Sequence, residues 1–156
     1  MTHYWWALER ADSPAIRQFL RDMMLNPNKP PQYRDMAGIT LFIRFGAEER
    51  LQEYLKAFET KRMPFEIATG QTDAVGKSDP DRLLREVGNR VRANPDLANQ
   101  DACRQVVQSV SRKASREGRR ELGNAIRDGL SRRPSLSAKE RNELELSANF
   151  LTEATN

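Results

Sequence analysis

The chain has 156 residues, of which 38% are hydrophobic and 31% charged, with a net charge of +4. That is lean in apolar residues for a globular domain, yet not the composition of a disordered chain. A single cysteine excludes an intramolecular disulfide and points to a reducing, cytoplasmic compartment. Residues 1–12 carry Glu9, Arg10 and Asp12, so no signal-peptide core is expected, and no apolar run approaches the length of a membrane span.

In chain order, Ser13 and Pro14 pair an N-cap with a first-turn proline. They predict a helix with Ile16, Phe19, Leu20 and Met23 on one stripe, ended by the Asn- and Pro-rich residues 26–31. Residues 33–45 read two ways. Ile39, Leu41, Ile43 and Phe45 alternate as in a strand. As a helix the same stretch is apolar nearly all round, which suits a buried helix and is the preferred reading. The strand alternative would pair it with residues 3–8 and 65–68 and make the first half α+β. Residues 47–60 predict a further helix, with Leu51, Tyr54, Leu55 and Phe58 inward and Glu48, Glu49, Arg50, Glu53 and Lys56 outward. The helix pair over 33–60 resembles one unit of a HEAT-type repeat.

Residues 68–80 are poor in apolar groups and punctuated by Gly70, Gly76 and Pro80, which predicts a surface linker. Beyond it, Leu83, Leu84, Val87 and Val91 share one helical stripe. Cys103, Val106, Val107, Val110 and Ala114 share the next, on a helix expected from about Gln100. Leu122, Ala125, Ile126 and Leu130 form a third stripe, after a bend or break at Gly118 and Gly123. Ser137 caps a last helix with Leu144, Ala148 and Leu151 facing in. The expected protein is mostly α. It has an aromatic-rich N-terminal subdomain over 1–69, a Gly-rich linker over 70–79 and a basic C-terminal bundle of about four amphipathic helices over 80–156.

Charge and aromatics divide along the same line. Residues 1–79 hold 11 Lys/Arg and 11 Asp/Glu, whereas residues 82–133 hold 13 Lys/Arg against six acids, a net of +7. Ten of the eleven aromatics precede residue 66, so the first half can build a dense core and the second carries the basic surface.

Signatures of catalysis are thin. Gly70 to Ser78 imitates a phosphate-binding loop, but five residues separate Gly70 from Gly76 where four are required, and no strand is expected downstream. His3 is the only histidine and lies at a chain end. Cys103 falls on an apolar stripe, where it packs as a small hydrophobe. Glu48, Glu49, Glu53, Glu140, Glu143 and Glu145 interleave with bases on solvated faces. The expectation is a non-enzymatic protein with no catalytic, metal or cofactor site.

The basic stretch carries the functional expectation. With 100° per residue, Arg112 and Arg116 fall about 180° and 220° from Cys103, opposite the valine stripe. Arg119 continues the line, Lys113 and Arg120 flank it, and Arg127, Arg132 and Arg133 follow. Such a row suits the phosphate backbone of DNA or RNA, because arginine forks match phosphate oxygens. Against this, Glu117, Glu121 and Asp128 are placed to pair with several of these arginines. The alternative is a protein-binding adaptor or inhibitor. It would use Tyr4, Trp5 and Trp6 as anchors and the basic face against an acidic partner, with homodimerisation through the bundle helices as a secondary expectation.

Overall fold

Prolines and capping side chains set where the helices begin. In a computed structural model, residues 10–60, 72, 75–77 and 79–153 are described, and 81% of these are helical with none in a strand. Helix α1 spans Pro14–Leu25, with the Ser13 hydroxyl accepting from the Ile16 amide at 3.3 Å. Its inward face is Leu20 and Met24, while Phe19, expected on the buried stripe, is 47% exposed.

Helix α2 spans Pro31–Ile43, so the strand alternative for residues 33–45, and with it the α+β option, is corrected. The alternation is not a burial pattern. Ile39 is 45% exposed, and the inward side chains are Ala37, Thr40, Leu41 and Phe42, spaced as one side of a helix. Helix α3, Ala47–Glu59, buries Leu51, Tyr54, Leu55 and Phe58 as its periodicity predicts.

Helix α4 spans Pro80–Ala93 and starts at Asp79, whose carboxylate accepts the Arg82 amide at 2.9 Å. After a 3₁₀ turn at Pro95–Asn99 comes helix α5, Asp101–Gln105. The single helix expected from Gln100 through Ala114 does not form. The chain widens into a π-type turn at Val106–Val110, tightens into a 3₁₀ turn at Ser111–Lys113, and turns extended at Ala114. Two local causes are visible. The Ser111 hydroxyl bonds back to the Val107 carbonyl, a contact that competes with the helical ladder. The Ser115 amide donates to Asp81 Oδ1 at 2.6 Å, and Ser115 then caps helix α6, Arg116–Ser131, through the Gly118 amide.

Helix α6 is unbroken through Gly118 and Gly123; the two glycines mark close approach instead of a bend. A Cβ on Gly118 would lie 2.7 Å from Asp81 Oδ1 on α4, and one on Gly123 3.2 Å from the Ala148 carbonyl on helix α7, Ala138–Thr152. From Asp81 opposite Ser115 to Arg92 opposite Glu121, α4 runs alongside α6 in the same direction.

The buried apolar side chains from Leu20 to Leu151 form one contiguous cluster. Three residues expected in a solvated linker belong to it or adjoin it. Thr72 is fully buried with its Oγ1 2.9 Å from Tyr54 Oη, and Val75 and Gly76 are buried, Gly76 directly against Val110. The hydroxyl pair explains how a polar residue is tolerated there, since each satisfies the other away from water.

Tyr54→Phe strands the Thr72 hydroxyl and is expected to cost about 1–3 kcal/mol in denaturant unfolding, whereas adding Thr72→Val recovers most of that loss. At α7, the Ser137 hydroxyl and amide both bond the Glu140 carboxylate, which holds its pKa below the ordinary glutamate value. The cap therefore contributes above the usual glutamate range and is lost as pH falls through the folded value. In Ser137→Ala, an NMR titration is expected to show Glu140 moving upward.

Candidate nucleic-acid interface

Where each guanidinium goes is set largely by helix ends, whose last carbonyls lack partners within the helix. Arg34 donates to the Met24 carbonyl at 3.0 Å and so closes the end of α1. Arg50 reaches the Phe42 carbonyl in the last turn of α2 at 3.0 Å and the Phe45 carbonyl just beyond it at 3.1 Å. Arg132 caps α4 through the Arg92 carbonyl at 2.6 Å, and Arg141 reaches the Arg133 carbonyl at 3.1 Å. Others pair with carboxylates, as Arg82 does with Glu48 at 2.6 Å and Arg90 with Glu59 at 2.8 Å.

The eight basic residues singled out in the sequence separate into two groups. Arg112, Lys113, Arg116 and Arg120 are exposed and make no side-chain hydrogen bond or ion pair with the described residues. The other four are drawn into the scaffold. Arg127 donates to Asn149 Oδ1 at 3.0 Å and Thr152 Oγ1 at 2.7 Å on α7. Arg133 lies 3.0 Å from Asp96, Arg132 serves the end of α4, and Arg119 is half-buried.

The expected row of Arg112, Arg116 and Arg119 is therefore corrected. Because the chain breaks at Ala114, Arg112 and Arg116 belong to different elements. On α6 the basic row is Arg116, Arg120 and Arg127, within about 40° of one another at 100° per residue. Beside it runs a second row of Glu117, Glu121 and Asp128, which also spans about 40°. Of these acids, Asp128 lies 3.9 Å from Arg92 on α4, while Glu117 and Glu121 form no ion pair with the described residues. Arg116, Glu117, Arg120, Glu121 and Asn124 line a shallow, open concavity. At the start of α6 the Gly118 amide is already taken by the Ser115 hydroxyl.

Sequence reasoning passed over Arg85. It is exposed and, like Arg112, Arg116 and Arg120, makes no side-chain bond with the described residues. Its spacing from Asp81, Gly88 and Arg92 placed it on one side of α4, but no linear signal showed that α6 lies along that side. Tyr4, Trp5 and Trp6 lie outside the described residues.

Chemistry by covalent catalysis finds no support at the lone thiol. Cys103 is 1% exposed, and burial pushes its pKa up to about 12, outweighing the opposing charge of Arg104. Arg104 is itself committed to Asp101 and Glu143 at 3.2 and 3.4 Å. Among the described residues no group of three or more His, Cys, Asp or Glu could hold a metal ion, and no helix is long and apolar enough to cross a membrane. No family model, curated protein or solved structure matches this chain.

Cys103 is expected to resist a thiol reagent at pH 8 in the folded protein and to react within seconds to minutes once denaturant opens the core. Fast labelling without denaturant would show the thiol to be accessible.

Proposed function

We propose that this chain is a cytoplasmic, non-enzymatic binding or regulatory protein that contacts nucleic-acid phosphates through Arg112, Lys113, Arg116 and Arg120. One observation carries the reading. These four cations stay exposed and make no bond with the described residues, in a protein that commits most of its other arginines to carbonyls and carboxylates. An unpaired guanidinium already held on a folded surface keeps its donors available for phosphate oxygens. In this reading the helices of residues 80–156 act as a basic bundle that presents the cations, and the aromatic-rich first half supports it. Arg119, Arg127, Arg132 and Arg133 hold the scaffold and add little direct contact. Binding that rests on phosphates discriminates weakly between sequences.

A second reading has its own support. Glu117 and Glu121 stand beside Arg116 and Arg120 with no ion pair to the described residues, so this part of α6 presents two such charges of each sign. A uniform polyanion gains nothing from the glutamates, whereas a protein partner with a mainly acidic surface and one or two bases would use both rows. Such an adaptor or inhibitor would draw further contact from Tyr4, Trp5 and Trp6.

If four phosphates are engaged on duplex DNA, log affinity is expected to fall against log salt with a slope of roughly −3 to −4. Arg112→Ala, Arg116→Ala and Arg120→Ala together should leave a slope of about −1. Glu117→Lys with Glu121→Lys should tighten binding to DNA, while loosening a protein partner that answers the acids. A flat salt response, or DNA binding indifferent to the triple substitution, overturns the nucleic-acid reading.

A further inference from the structure

The unpaired cations are not confined to α6 and the turn before it. Asp81, Arg85, Gly88 and Arg92 recur at i, i+4, i+7 and i+11, one stripe of α4. Three of the four touch α6. Asp81 accepts the Ser115 amide at 2.6 Å, a Cβ on Gly88 would lie 3.6 Å from Ala125, and Arg92 donates to the Glu121 carbonyl at 3.2 Å. Arg85 therefore lies on the seam between the two helices, one turn past the contact that joins their first turns. It is nonetheless exposed and bonded to nothing described.

We infer that the phosphate-contacting surface crosses this seam, with Arg85 on α4 as a contact in series with Arg116 and Arg120 on α6 and with Arg112 and Lys113 between them in the chain. The inference rests on the nucleic-acid reading above and extends it to a second helix. Packed helices lie about 8–10 Å apart, which a nucleic-acid strand crosses in a few nucleotides at about 3.4 Å of rise each. The acids of these two helices are Asp79, Asp81 and Glu86 at and in α4, with Glu86 paired to Arg90 at 2.7 Å, and Glu117, Glu121 and Asp128 on α6. Asp79 and Asp81 are already bonded to the Arg82 and Ser115 amides. A strand held on α6 alone would run beside the unpaired glutamates, whereas one that crosses to Arg85 meets a cation on either side of them.

The test is binding of a labelled mixed-sequence DNA duplex over a range of salt, by anisotropy. Arg85→Ala is expected to weaken binding several-fold and to reduce the salt slope by about one. Arg85→Lys should keep the slope, and Lys139→Ala on α7 should leave affinity unchanged. Because Arg85 makes no bond with the described residues, the melting temperature of Arg85→Ala should equal that of the parent. If Arg85→Ala binds with the parent's affinity and slope while the Arg112, Arg116 and Arg120 triple variant loses binding, the seam inference falls and the broader reading stands. If the triple variant binds as the parent does, or if poly-glutamate is bound and duplex is not, both fall.

Discussion

Residues 80–153 depend on how near two helices come to α6. Gly118 lets the first turn of α4 lie against it, with Asp81 Oδ1 2.7 Å from where a Cβ would stand, and Gly123 gives the same close approach to Thr152 and Ala148 on α7. A glycine inside a helix costs about 1 kcal/mol relative to alanine. The closer contact offsets that cost by bringing Val87 and Val91 on one side, and Ala148 and Leu151 on the other, into the same buried cluster as Leu122 and Ile126. The chain between α4 and α6 is then under a constraint. It must end α5 early enough for Ser115 to reach Asp81, and the wide turn at Val106–Val110 with the tight turn after it is how the backbone meets that demand.

Arginine does two jobs in this protein, and the division follows from its geometry. A planar fork with five donors satisfies carbonyl oxygens at helix ends better than a point charge does. Arg34, Arg50, Arg132 and Arg141 are used in that way, while Arg17 grips Asp12 with two bonds of 2.9 Å and lies 4.7 Å over the Phe45 ring. The four that cap carbonyls lower the cost of ending those helices and commit donors that a ligand would otherwise use. Within residues 82–133 the exposed cations that make no bond with the described residues are Arg85, Arg112, Lys113, Arg116 and Arg120, five of the 13 Lys/Arg in that stretch.

Much of the architecture was legible from local chemistry. Ser13 with Pro14, and Ser137, each announce a helix start by groups that act within one turn, and both behave as read; Asp79 before Pro80 and the Glu140 carboxylate act at the same short range. The inward stripes of α3, α4, α6 and α7 also follow from spacing alone. Where reading failed, the deciding group lay far along the chain. The run of residues from Gln100 looked like one long helix because its valines keep helical spacing, but the acceptor that fixes Ser115 sits 34 residues earlier. Thr72 looked like linker because its partner, the Tyr54 hydroxyl, is 18 residues away.

The candidate surface shows the same division. By itself the sequence determined a mostly helical chain, where most of its helices start, and which half carries excess positive charge. These are properties of composition and of neighbours within one or two turns. Only the tertiary structure decided which cations remain available, because a guanidinium is neutralised or capped by whatever carbonyl or carboxylate packing brings to it. It was packing that gave Arg119, Arg127, Arg132 and Arg133 partners within the fold and placed Arg85 beside α6, since contact between helices is fixed by shape across the core and not by distance along the chain.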